Sequence, residues 1–401
     1  MTKIITDKNL INELLARSVS HIYPTTAELK KKLLSGEQLR IYMGIDPTAT
    51  YAHLGHSTNY IILKKFHQLG HKIICLVGDF TAMIGDPSDK NSARKQLTQE
   101  EVQANLQTFK EQIGKILPFD DKDNPIEFAL NSKWLSCLSF GDLINLASQF
   151  TVQQMIERDN FQKRLKDNKP LYVHEFFYPL MQGYDSVELD VDLEIGGTDQ
   201  TFNMLAGRTL MKNLLQKEKF VMTTTLLENP VTGEKLMSKS LGTGIGLDET
   251  PDNMFGKTMR LADEALIQVW TDCTYLTMDE ITQIKQELDG GANPRDIKLH
   301  LAKEIVKMYH GEAAAQKAED NFIKTISNKE IPDEVAEFQP EHYDLLSVLI
   351  ESQMLSSKSE VRRVLDQKGI KIDGEVVADE KQLLRPGQVL QKGKIHFVKI
   401  K

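Results

Sequence analysis

A strand, a tight turn, a helix and a second strand follow one another between Leu39 and Val77, and this unit limits the fold more than any other stretch of the chain. Leu39, Ile41, Met43 and Ile45 alternate with Arg40, Tyr42 and Gly44, the two-residue period of a strand. Asp46-Pro47-Thr48 makes the turn. Ile61, Ile62, Phe66 and Leu69 then mark a helix from about Gly55 to Leu69, with Gly70 as its C-cap. Ile73 to Val77 is a continuous apolar run, as a strand buried on both faces requires. Short apolar runs and helical patterns go on alternating through residue 225. The expected fold class is therefore α/β, a Rossmann-like doubly wound parallel sheet that binds ligands beyond the carboxyl ends of its strands.

At 401 residues the chain exceeds what one hydrophobic core usually supports, so further domains are expected. Past Pro251 the pattern becomes helical. Asn293-Pro294 opens one helix, with Ile297, Leu301, Ile305 and Met308 on one face. Residues 328–341 hold Pro332, Pro340 and five acidic residues and read as a linker. The last sixty residues, His342 to Lys401, read as a small α+β module with 11 Lys/Arg against 8 Asp/Glu. That balance of +3 contrasts with −8 for the whole chain. Net acidity argues against a protein that coats nucleic acid by charge alone, while leaving room for a local basic face. Cys75, Cys137 and Cys273 show no spacing for a disulfide framework or a zinc site, which suits a reducing compartment. The charged N-terminus and the lack of a long apolar run imply a soluble, cytoplasmic protein with no membrane partner.

His53-Leu54-Gly55-His56 stands where the helix begins, and helix N-termini offer free N–H groups to phosphate. Two histidines three residues apart face one side there and can donate to the oxygens of a reacting phosphorus centre. Gly55 lets a nucleotide lie directly on the backbone. Read alone, the pair serves equally well as two solvated histidines beside a cap. After the second strand, Lys90 and Arg94 are four apart and form one cationic face if helical. Alone they read as an exposed basic turn. Leu189, Val191, Leu193 and Ile195 alternate with Asp190, Asp192 and Glu194, a half-buried strand that ends at Gly196-Gly197 and delivers Thr198-Asp199-Gln200 to the sheet rim. Asp199 suits a helix cap equally. Tyr178, Gln182 and Asp185 follow the spacing i, i+4, i+7, a polar stripe that forms a pocket wall or a solvated helix face. Pro179 interrupts the stripe unless the helix runs through it.

Together these segments resemble the tyrosyl-tRNA synthetases of class I, from about Val19 to the C-terminus. His53-Leu54-Gly55-His56 is similar to the HIGH signature of that class, and Gly233-Glu234-Lys235-Leu236-Met237-Ser238-Lys239-Ser240 to its mobile KMSKS loop. The first lysine of that pattern falls on Leu236, with Lys235 one place earlier. The resemblance implies that Tyr42 and Asp185 hold the tyrosine hydroxyl, that Asp86, Tyr178 and Gln182 hold its ammonium with Thr81 nearby, and that Asp46 and Gln200 line the pocket. It further implies ATP contacts at Gly44, Thr48, His53, Gly55, His56, Asp199, Lys235 and Lys239. His53, His56, Lys90, Arg94 and Lys239 are expected to act on the transition state, with Mg2+ on the ATP phosphates and no dedicated protein metal site. A buried polar pair satisfied by a phenol would be left unpaired by phenylalanine.

The implied arrangement is a catalytic domain over 1–225, the lysine loop over 226–246, an α-helical anticodon-binding domain over 247–327, a linker over 328–341 and an RNA-binding domain over 342–401. Ser357-Lys358-Ser359-Glu360 reads as a capping box, followed by a helix with Val361, Val364 and Leu365 inward. Lys358, Arg362 and Arg363 are left available to a phosphate backbone, and Gly369 closes the helix. As a pattern this is also an ordinary solvated basic helix. The module resembles the alpha-L RNA-binding motif. The expected partners are L-tyrosine, ATP, tRNA(Tyr) and a second copy of the chain. Two rivals remain: a tryptophanyl enzyme with the same fold, and a silent relative that only binds RNA.

Overall fold

The computed structural model describes residues 3–47, 52–86, 98–237, 243–327, 335–393 and 396–401. The chain divides into two compact units, one of residues 1–249 with 261–297 and one of residues 250–260 with 298–401. The segment 247–327, expected as one helical domain, is shared between them.

The first unit is built on six strands: β1 (Val19–Tyr23), β2 (Arg40–Ile45), β3 (Lys72–Val77), β4 (Glu127–Leu130), β5 (Leu193–Gly197) and β6 (Phe220–Thr224). Their order is β1-β6-β5-β2-β3-β4, all parallel except β1, which runs antiparallel to β6. The expected parallel α/β sheet is present. Its central strands are apolar on both faces because helices cover both: Ile73, Ile74, Cys75, Leu76 and Val77 are each at most 4% exposed. Cys75, Cys137 and Cys273 are unpaired.

Three helices set the site. The first, α1 (Leu54–Gln68), begins one residue before the expected start, and Gly70 follows it at φ +92°, a conformation that disfavours a side chain. The second, α2 (Val173–Glu188), runs without a break through Pro179. Pro179 falls in its second turn, so the interruption that the sequence suggests does not occur. The third, α3 (Thr201–Leu215), packs along α2.

One expected element is corrected. The alternation from Leu189 to Ile195 is not a single half-buried strand. Leu189 caps α2, Asp190 takes a left-handed turn at φ +44°, and β5 begins only at Leu193. From there the strand is buried on both faces, Glu194 included at 1% exposure. The alternation misleads because one of its acidic residues is interior and paired.

In the second unit, Thr250 caps a helix over Pro251–Thr258. The helix Pro294–His310 starts in the first unit, where Asn293 Oδ1 accepts from the Arg295 N–H, and continues into the second. The C-terminal module is a five-stranded sheet, β7 (Glu337–Phe338), β8 (Ile370–Ile372), β9 (Glu375–Val376), β10 (Val389–Lys392) and β11 (His396–Ile400), in the order β7-β11-β10-β8-β9. Leu345, Val348, Val361, Leu365, Ile370 and Leu390 form its core. β7 falls inside the expected linker, so the linker's end belongs to this sheet; residues 328–334 lie outside the described residues. The helix α4 (Lys358–Asp366) has half of the expected capping box. Ser357 accepts from the Glu360 N–H, but the Glu360 carboxylate turns to Ser356. Lys368, at φ +56°, takes the left-handed position expected of Gly369.

Candidate active site

β2 and β5 are neighbours at the point where the winding reverses, β3 and β4 lying on one side and β6 on the other. Crossover connections leave in opposite directions there and open a crevice beyond the strand ends. The crevice is a cavity of about 360 Å3, within the usual range for small-ligand sites. Every expected tyrosine or ATP residue that is described lines it: Tyr42, Gly44, Asp46, His53, Gly55, His56, Thr81, Asp86, Tyr178, Gln182, Asp185, Asp199, Gln200 and Lys235. Thr48, Lys90, Arg94 and Lys239 lie outside the described residues.

Tyr42 projects from β2 beside Glu194 of β5 and is fully buried. Its hydroxyl lies 2.9 Å from Ser186 Oγ. Burial, with Glu194 and Asp185 adding to it, holds this phenol well above the usual tyrosine range, so it stays protonated. On α2, Asp185 Oδ1 accepts from Trp134 Nε1 at 2.7 Å and Oδ2 from Asn131 Nδ2 at 3.2 Å. Burial pushes the Asp185 carboxyl well up, while those two hydrogen bonds pull the other way.

Asp46, just past β2, accepts from Thr81 Oγ1 at 2.7 Å and from Tyr178 Oη at 2.8 Å. Gly78 makes that possible, since a Cβ there would stand 2.1 Å from Asp46 Oδ1. Asp86 accepts from Arg158 at 3.1 Å and from Gln200 Nε2 at 2.7 Å. Asp46, Asp86 and Asp199 line the cavity with carboxylates, Asp86 already paired with Arg158, and carboxylates attract an ammonium ion.

At the other end stands the start of α1. The rings of His53 and His56 stack at 3.9 Å with 15° between their planes. The His53 backbone N–H donates to His56 Nδ1 at 3.2 Å, which leaves the His56 proton on Nε2. Burial lowers the His53 pKa, and burial together with His53 pushes His56 down to about 3. At neutral pH both are neutral donors, not cations. The lysine-loop segment is tied to this spot from both sides. His53 bridges Gly246, the Leu54 N–H donates to Ile245 O at 3.0 Å, and Met237 would touch a Cβ placed on Gly55. Lys235 pairs by a backbone bridge with Glu228 and is exposed at the cavity wall.

Sequence reasoning missed Asn131, Trp134, Arg158, Ser186, Glu194 and Lys219. Arg158 and Lys219 occur in charged runs of the sequence, yet they are 5% and 0% exposed. No local signal marks them; their partners are distant in the chain. Among the described residues, no group of three His, Cys, Asp or Glu is placed to hold a metal ion. Among them, too, no helix is long and apolar enough to cross a membrane.

In the C-terminal module, Lys358, Arg362 and Arg363 are exposed on α4, opposite buried Val361 and Leu365. Arg362 already makes a two-pronged pair with Glu380, at 2.7 and 3.1 Å.

The family model described as tRNA synthetases class I (W and Y) matches residues 34–327, and that of the S4 domain matches residues 345–390. A tyrosine–tRNA ligase of Haemophilus ducreyi is 45% identical over 388 residues, covering 96% of each chain. One of Carboxydothermus hydrogenoformans is 44% identical over 402 residues, covering 97% of each. Among solved structures, a truncated mitochondrial tyrosyl-tRNA synthetase of Aspergillus nidulans superposes with a TM-score of 0.67 at 22% identity, over 79% of this chain and 94% of that one. At that identity the likeness concerns the fold.

Proposed function

The chain belongs to the class I tRNA synthetases of the W and Y group, and from that membership we propose how its residues divide the work of joining tyrosine to tRNA. The reaction is that of a tyrosine–tRNA ligase. ATP activates L-tyrosine as tyrosyl-adenylate, the tyrosyl group passes to the 3′ end of tRNA(Tyr), and pyrophosphate and AMP are released.

The observation that carries the residue assignment is the buried pair at the β2–α2 wall. Tyr42 offers a hydroxyl, and Asp185 offers a carboxyl already held by Trp134 and Asn131. A substrate phenol adds a hydrogen bond to each, which the side chain of phenylalanine cannot make. Gln182, Tyr178 and Asp86 receive the ammonium, with Asp46, Thr81 and Gln200 keeping those groups in place. The carboxylate then points toward α1, where ATP lies over Gly44, Thr48 and Gly55 with its ribose toward Asp199.

Attack of the carboxylate on the α-phosphorus needs alignment and relief of developing charge, not a protein nucleophile. His53 and His56 donate as neutral imidazoles to the phosphate oxygens. Lys90, Arg94 and Lys239 neutralise the departing pyrophosphate, with Lys235 contacting ATP. Magnesium has no protein cage among the described residues and would be carried by the ATP phosphates, so no step is assigned to it.

Residues 247–327 serve the anticodon end of the tRNA, and Lys358, Arg362 and Arg363 of the C-terminal module meet its backbone. We assign the working form to a homodimer in the cytoplasm, which sedimentation and fractionation test. The decisive assay is ATP–pyrophosphate exchange with single amino acids. Exchange driven by tyrosine and not by tryptophan is expected. Stimulation by tryptophan, or none by any amino acid, would favour one of the two rivals.

A further inference from the structure

We propose that the buried pair Lys219–Glu194 fixes which end of the Gln182 amide faces the substrate, and so acts as a positioning device for the tyrosine ammonium. The proposal deepens the tyrosine reading above and rests on it.

Lys219 is fully buried, an expensive place for an ammonium unless its partners are well made. It donates to Glu194, at the β2–β5 switch point, and to Ser186 Oγ at 2.8 Å. The fold keeps space open for it. A Cβ on Gly207 would stand 2.5 Å from Lys219 Nζ and 2.8 Å from Ser186 Oγ. Glu194 has one oxygen toward Lys219, and its other, Oε1, accepts from Gln182 Nε2 at 3.0 Å.

The consequence is chemical. A carboxylate paired with an ammonium only accepts hydrogen bonds, so the Gln182 amide must turn its NH2 toward Glu194. Gln182 and Glu194 both line the cavity, and the opposite end of the amide is a carbonyl oxygen. That oxygen accepts from a substrate ammonium, whereas an NH2 in its place would repel one. Without Lys219, the Glu194 carboxylate loses the ammonium that holds it facing Gln182, and a glutamine at position 194 donates as well as accepts. The amide can then flip, and the preference for an ammonium is lost.

The test uses the full-length protein, with Lys219→Met and the charge-neutral double variant Lys219→Met/Glu194→Gln. The double variant leaves no buried charge alone and carries the same test should the single one not fold. In both, the KM for tyrosine in exchange should rise by about tenfold, roughly one hydrogen bond to a charged group, with the KM for ATP unchanged. Calorimetry should find the affinity for 3-(4-hydroxyphenyl)propionate, which lacks the ammonium, within about twofold of wild type. An unchanged tyrosine KM in the folded double variant, or an equal loss for both ligands, overturns the proposal. Failure of the wild-type protein to exchange with tyrosine would instead overturn the reading on which it rests.

Discussion

On the proposed reading a substrate phenol meets Tyr42 and Asp185, both buried, and an unmet buried group is costly. Tyr42→Phe should therefore lower the ratio of tyrosine to phenylalanine kcat/KM by about tenfold or more, as expected for one buried hydrogen bond. Exchange assays with both amino acids measure it, and an unchanged ratio would remove Tyr42 from specificity. The histidines predict a pH effect of definite sign. His56 falls from 6.5 to about 3 in the folded chain. Below pH 6.5 the unfolded chain thus takes up a proton that the folded site refuses. This group's contribution to stability is complete above 6.5 and shrinks by about 1.4 kcal/mol per pH unit as pH falls toward 3. Urea unfolding of His56→Gln between pH 6.5 and 4.5 should show a shallower slope than wild type. Adenylate formation should show no loss from His56 protonation between pH 6 and 8. The motif residues were legible one by one because the turn that carries them is local. Arg158 and Lys219 were not, since only tertiary pairing distinguishes a buried charge in a charged run from a solvated one.

Helices α2 and α3 meet through small residues, and that close approach holds the polar stripe of α2 against the sheet. A Cβ on Gly183 would stand 2.9 Å from Leu210 Cδ1 and 3.2 Å from the Gly207 backbone nitrogen. Backbone cannot move aside as a side-chain tip can, so Gly183→Ala should destabilise by about 1–3 kcal/mol. It should also weaken tyrosine binding by tilting Gln182 and Asp185. Urea denaturation and calorimetry check the two effects, and a neutral result in both would contradict the close approach. At this scale most of the fold could be read from the chain. The period of β2, the cap of α1 and the apolar run of β3 are local patterns, and local patterns set these elements. Two places misled. Pro179 is tolerated within α2, where tertiary packing outweighs the bias of the residue before it. Glu194 reads as a solvent-facing strand residue because nothing in its neighbourhood announces Lys219, which lies 25 positions away.

Over the whole chain, acidic and basic character are separated, the last sixty residues standing at +3 against −8 overall. Chemistry on tyrosine and grip on tRNA should separate in the same way. Lys358→Ala with Arg363→Ala should leave tyrosine-dependent exchange unchanged while raising the KM for tRNA. The salt dependence of tRNA binding should flatten by roughly one unit of logarithmic slope for each phosphate that the variant no longer neutralises. Filter binding at several salt concentrations measures it, and an unchanged slope would take α4 off the RNA. The domain pattern was less legible than the sheet, because helices pack by faces whose partners are not adjacent in sequence. β7 is the clearest case, two residues of an acidic, proline-flanked stretch recruited to the edge of the C-terminal sheet. The tyrosine pocket works by orientation on this reading, and a crystal structure with bound L-tyrosine tests that most directly. The phenol oxygen is expected within hydrogen-bond reach of both Tyr42 and Asp185, with the ammonium at the Gln182 carbonyl oxygen. A ring turned end for end, or seated anywhere else in the cavity, would contradict it.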